Sequence, residues 1–103
     1  MLSKYVACCG FTAIATSLLA SSSLAYTGQE LASKAKITID EARAIALKAR
    51  PGTVTDEELE KEKGGSGLRY SFDVKSGNVT YEVGVDAQTG KVLENSKESR
   101  HPD

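Results

Sequence analysis

Residues 68–93, LRYSFDVKSGNVTYEVGVDAQTGKVL, contain two runs in which apolar and polar side chains alternate. Leu68, Tyr70, Phe72 and Val74 alternate with Arg69, Ser71, Asp73 and Lys75. Val79, Tyr81, Val83 and Val85 then alternate with Thr80, Glu82, Gly84 and Asp86. A period of two gives a strand one buried face and one wet face. The spacing therefore predicts two strands joined by a two-residue loop, Ser76-Gly77, with glycine where a hairpin favours positive φ. Asp86-Ala87-Gln88-Thr89-Gly90 has the composition of a type I turn closed by glycine. Residues 91–94 would then return antiparallel as a short last strand.

Upstream, Thr38 and Glu41 are spaced to cap each other across the first turn of a helix, with Ile37 placed to pack on Ala42 as a hydrophobic staple. Asp40 and Glu41 suit the positive end of such a helix. Ala42, Ile45, Ala46 and Ala49 recur at helical spacing, with Arg43 and Lys48 on the other side. This narrow stripe of small residues would let the helix lie close to a sheet. Pro51 and Gly52 end it, because proline disfavours helical geometry at Arg50 and has no N–H to donate.

Between the helix and the alternating runs lies TVTDEELEKEK, residues 53–63. Propensity favours helix here, with Thr55, Glu57, Leu59 and Lys61 on one side of an extended chain and Val54, Asp56, Glu58, Glu60 and Glu62 on the other. The strand beginning at Leu68 needs a neighbour, however, and Gly64-Gly65-Ser66-Gly67 is a connection of hairpin length. A charged edge strand satisfies both needs, since charge discourages edge-to-edge aggregation. The fold class that follows is α+β, with one N-terminal helix packed on one face of a three- to four-stranded antiparallel β-meander.

The ends read differently. Residues 1–25 place one positive charge, Lys4, before an uncharged apolar run and a small-residue stretch ending at Ser23 and Ala25. This is the layout of a secretory signal peptide cut between Ala25 and Tyr26. The apolar run of about 15 residues falls short of the roughly 20 that span a bilayer. Both cysteines, Cys8 and Cys9, lie within it, so the processed chain has no thiol for disulfide, redox or metal chemistry. Cleavage removes one of 13 basic residues and none of the 14 acidic ones. The remaining small, slightly acidic chain lacks the basic character that holds nucleic acid or an anionic membrane. Residues 26–36 read as a flexible leader, 37–95 as the domain, and 96–103 as a disordered tail.

The ordered set of Ile39-Asp40-Glu41-Ala42 with Ile45-Ala46, the Pro51-Gly52 break, and Tyr81-Glu82-Val83 leading through Val85-Asp86 to Thr89-Gly90-Lys91-Val92-Leu93 resembles the PepSY domain family. This module occurs in propeptides of secreted metallopeptidases and in short exported bacterial proteins. The resemblance implies a helix on an antiparallel sheet, a periplasmic or secreted location, and a role in restraining peptidase activity. It supplies no catalytic residues. Glu57 departs from the family habit by placing a carboxylate where an inward apolar side chain is expected. A buried carboxylate without a partner costs several kcal/mol or takes up a proton. Either Lys61 or a helix residue pairs with it, or the edge is splayed and wet.

No catalytic constellation is visible, and no cofactor is implied. His101 is the only histidine and lies in the tail, so neither a histidine triad nor a multi-histidine metal site can be built in one chain. Asp86 opens like a calcium loop, but Gln88 replaces the second acid and no glutamate closes it. Asp56, Glu57, Glu58, Glu60 and Glu62 form the candidate partner-binding edge, for a basic patch or for a strand added by main-chain pairing. Two functions follow: a non-catalytic binding module that associates with or inhibits a secreted or envelope peptidase, and a structural or cation-responsive envelope protein. Neither implies nucleic-acid binding.

Overall fold

The computed structural model describes residues 25–98. The predicted signal sequence up to residue 24, with Cys8 and Cys9, and the tail histidine, His101, lie outside the described residues. The elements are a 3₁₀ helix (Gln29–Lys34), α1 (Ile39–Ala49), β1 (Thr53–Lys61), β2 (Leu68–Ser76), β3 (Val79–Asp86) and β4 (Val92–Lys97). The four strands form one antiparallel sheet in the order β1-β2-β3-β4, with α1 on one face. The α+β meander expected from the alternating runs is therefore observed, with a 3₁₀ helix placed ahead of α1.

Local chemistry accounts for the ends of α1. Thr38 Oγ1 accepts from the Glu41 amide at 3.1 Å, and the Thr38 amide donates to Glu41 Oε1 at 2.9 Å. The reciprocal cap satisfies two amides that the first turn leaves without helical acceptors. At the other end the Arg50 amide reaches the Ala46 carbonyl before Pro51 stops the helix. Ala42 and Ala46 are fully buried against the sheet. The core beneath them is Leu59, Leu68, Tyr70, Phe72, Val74, Val83, Val85 and Ala87.

Four details differ from the sequence reading. The hairpin loop is Gly77-Asn78, with Ser76 still paired to Val79. The last strand continues to Lys97, past the point where the tail was expected to begin. In β1 a bulge between Val54 and Asp56 turns Val54 to the same face as Glu57 and Leu59, opposite Val74, Phe72 and Tyr70. The segment before α1 follows a defined path, because the Lys36 and Ile37 amides both donate to the Ala87 carbonyl and Gln88 Nε2 donates to the Lys34 carbonyl at 2.7 Å. Backbone carbonyls carry no residue signature, so nothing in the composition of residues 26–36 marks this docking.

Helix α1 packs chiefly on β2, β3 and β4, whereas β1 is met by the 3₁₀ helix. The inner face of β1 is thus roofed by the leader, and a hollow remains between leader, helix and strand.

Candidate functional site

The pleat of β1 divides the acidic run into two groups. Glu57 points inward, opposite Phe72, while Asp56, Glu58 and Glu60 face outward opposite Asp73, Ser71 and Arg69. Glu62 lies just beyond the strand on the outer side, within 3.7 Å of Arg69. The five carboxylates therefore do not form one surface.

The inward carboxylate finds a helix partner. Arg43 Nε donates to Glu57 Oε1 at 2.9 Å and its Nη2 to Oε2 at 3.1 Å, while Nη1 reaches Asp40 Oδ1 at 2.8 Å. A two-pronged guanidinium–carboxylate contact is among the stronger polar pairs available. The hydrogen bond to Glu57 raises the Arg43 pKa. Arg43 belongs on the flank of α1 above β1 rather than on its solvent side. The residue count that placed it outside could not show how far the helix is displaced toward β4.

This pair lines a cavity of about 780 Å³ enclosed with Tyr26, Ala32, Ala35, Ile37, Val54 and Tyr70. Tyr70 donates its hydroxyl to the Ile37 carbonyl at 2.8 Å, and burial pushes its pKa up to about 12. Burial, followed by the charge on Glu57, likewise raises Tyr26. A second hollow of about 560 Å³ opens along the β1 edge between residues 25–27 and Val54, Thr55, Asp56 and Glu57. Tyr26, Val54 and Glu57 border both spaces.

The leader crosses this edge as a short extra strand. Thr27 bridges Glu58 in parallel, and the Leu59 amide donates to the Thr27 carbonyl at 2.8 Å. Gly28 follows at φ 88°, where a Cβ would overlap the Leu59 carbonyl oxygen. Glycine is required for an approach this close.

The outer face of the sheet is less wet than alternation predicts. Arg69 and Ser71 are each only 8% exposed. Arg69 lies across Gly84, where any side chain would strike its Cδ. Its guanidinium contacts Glu94 at 3.4 Å and the Lys63 carbonyl at 3.1 Å, and Nε has no partner among the described residues. Ser71 donates to Glu60 at 3.0 Å. Asp56, Asp73 and Glu82 stand directly opposite one another across three strands. Burial raises the pKa of Asp73, with added repulsion from Glu98 and Asp56, and that of Glu82, with repulsion from Glu94 and Asp73. Glu58 is raised by burial and then by Glu60 and Asp56.

Asp86, which begins the β3–β4 turn, is the most buried acid. It accepts from the Ser66 amide at 2.6 Å, Ser66 Oγ at 2.8 Å, the Gln88 amide at 2.8 Å and the Thr89 amide at 3.2 Å. Burial alone would raise its pKa, but these donors outweigh it and hold the carboxyl below its ordinary value. The residue that opened like a calcium loop instead ties two turns together. Its signal in the sequence is an aspartate opening a turn, which does not by itself specify that contact.

Among the described residues no group of three or more histidine, cysteine or acidic side chains converges to hold a metal. No described helix is long and apolar enough to cross a membrane. No curated protein and no solved structure gives a significant match to the chain. The model of one protein family, the peptidase propeptide and YPEB domain, matches residues 36–95. The match covers the cap of α1, the helix and almost all of the sheet, so the chain belongs to the PepSY family.

Proposed function

We propose that this PepSY chain is an exported, non-catalytic binding module that associates with a secreted or envelope peptidase and restrains it. The observation carrying this reading is the family match across nearly the whole helix-on-sheet unit, since PepSY domains are generally propeptide or inhibitor modules. PepSY domains are also typical of exported proteins. On this reading Asp56, Glu58, Glu60 and Glu62 face the partner, and charge complementarity selects a basic surface on it. Glu57, held by Arg43, orients the strand that presents them. Cleavage between Ala25 and Tyr26 is part of the proposal, and N-terminal sequencing of the exported protein tests it directly.

The test of restraint uses the purified protein with a panel of peptidases secreted or membrane-anchored by the same cell. Slowed substrate hydrolysis, relieved by raised salt and by the Glu58→Lys/Glu60→Lys double variant, is expected. Undiminished hydrolysis together with no co-purifying peptidase across the panel refutes the reading.

The opposed carboxylates Asp56, Asp73 and Glu82, which do not converge on one chelating point, support a second reading, an envelope protein that responds to cations gathered along this row. Like charges directly across strands cost about 0.2–1 kcal/mol per pair, and a bound cation would relieve that cost. Millimolar calcium or magnesium should then raise the melting temperature, because a ligand that binds only the folded state stabilises it. An unchanged melting curve removes this reading.

A further inference from the structure

We infer that the β1 edge and the cavity behind it form one binding groove for an extended segment of a partner protein, with basic side chains alternating with apolar or aromatic ones, and that residues 26–28 of the leader are the groove's placeholder, while the 3₁₀ helix that follows stays as its wall. The inference rests on the binding-module reading and specifies how binding occurs.

The leader already demonstrates the mode. It pairs in parallel with β1 at Thr27, accepts from the Leu59 amide, and lends Tyr26 to the wall of the inner cavity. An aromatic side chain directed inward and a backbone pair at the edge are the two elements of strand addition, in which main-chain bonds give affinity and pockets for alternate side chains give specificity. Along the edge itself residues 26–28 make one short backbone bond, at Leu59, whereas the 3₁₀ helix packs over the inner face of β1. Alternate amides of a strand point the same way, so the Glu57 amide faces the same edge as Leu59. It has no such partner among the described residues.

The two hollows fix the chemistry of the occupant. Val54, Glu57 and Tyr26 border both, which makes edge and cavity continuous. At about 780 Å³ the inner cavity is of the size that receives ligand side chains. Its walls supply Ala32, Ala35, Ile37 and Val54 for apolar or aromatic groups. Outward from the same edge stand Asp56 and Glu58, which would meet alternate basic side chains of an added strand. Period two in the partner thus matches period two in β1.

The probe is a short fluorescent peptide of alternating lysine and leucine with a central tyrosine, and its control replaces each lysine with glutamate. Binding is read by fluorescence anisotropy, and edge pairing by amide exchange at Leu59. The wild-type protein should bind the basic peptide and reject the acidic one. Gly28→Ala sets a Cβ against the Leu59 backbone and so displaces residues 26–28 from the edge, which should speed Leu59 exchange and tighten peptide binding by about tenfold. Bound peptide should restore the protection of Leu59. Asp56→Lys, at an exposed position, should weaken binding of the basic peptide, and Val54→Trp, filling the shared wall, should abolish it.

Absence of binding by both wild type and Gly28→Ala overturns the groove. Binding that Gly28→Ala leaves unchanged overturns the placeholder. Self-association of Gly28→Ala by light scattering, without peptide binding, assigns the edge to a second copy instead and also overturns the proposal. If peptidase restraint survives while the peptide fails to bind, the binding-module reading stands and this inference alone falls.

Discussion

The carboxylate of Asp86, 2% exposed, accepts four hydrogen bonds from Ser66, Gln88 and Thr89, and so joins the glycine-rich β1–β2 connection to the β3–β4 turn. Its folded pKa lies below the ordinary 3.8, so ionised Asp86 stabilises the fold above that value. That contribution is lost as the pH falls through the lowered folded value. Asp86→Asn keeps an acceptor for Gln88 and Thr89 but turns an NH₂ toward the Ser66 amide. We expect it to cost about 1–3 kcal/mol in urea unfolding and to reduce the acid sensitivity of the remaining stability. At the centre of the core, Phe72 is fully buried and stacks on Tyr70 with ring centroids 6.4 Å apart. Phe72→Ala should destabilise the protein by about 3–5 kcal/mol, enough to unfold much of a domain this small at ambient temperature. A cooperative, unshifted thermal transition monitored by circular dichroism would contradict the packing.

Among the elements, β1 shows what a pattern of residue types can and cannot reveal. Alternation specified β2 and β3, and the Thr38/Glu41 spacing specified the start of α1, because each depends on side chains a few residues apart. The bulge at Thr55 depends on pairing with β2, so Val54 was assigned to the wrong face. The Arg43–Glu57 contact joins residues 14 apart through the displacement of the helix across the sheet. Sequence could say that Glu57 needs a partner without saying which. The outer row of Asp73 and Glu82 carries the opposite pH signature to Asp86. Their folded pKa values are raised, so their ionisation costs stability at neutral pH, and that cost is relieved as the pH falls toward the ordinary 3.8 and 4.5. The two effects together predict a melting temperature that rises on mild acidification and then falls when Asp86 is protonated. Glu82→Gln should flatten the rise and stabilise the protein at pH 7 by about 0.2–1 kcal/mol.

For the molecule as a whole, a single sheet carries two unlike surfaces: an inner one closed by helix and leader, and an outer one of charge over Arg69, Ser71 and Gly84. The leader is fastened to the domain by a few polar contacts and by partly buried apolar side chains at the core's margin, whereas the sheet is fastened by the fully buried core. Removing the Gln88–Lys34 contact with Gln88→Ala should therefore act locally. Amide exchange at Lys36 and Ile37 and proteolytic clipping within residues 26–36 should accelerate, while the global unfolding free energy changes by less than about 1.5 kcal/mol. A proportionate fall in both would mean that leader and domain unfold as one unit.

The acceptor for the Lys36 and Ile37 amides, the Ala87 carbonyl, belongs to the last turn of the meander. A ribosome makes the donors well before it makes the acceptor, and a chain threaded N-terminus first through a membrane delivers them in the same order. The local contacts of α1 and of the β2–β3 hairpin can form early, but the end of the leader at Lys36 and Ile37 has nowhere to dock until the third strand has emerged and turned. Its docking is therefore a late event in the history of each molecule, a latch that closes only on a nearly finished chain.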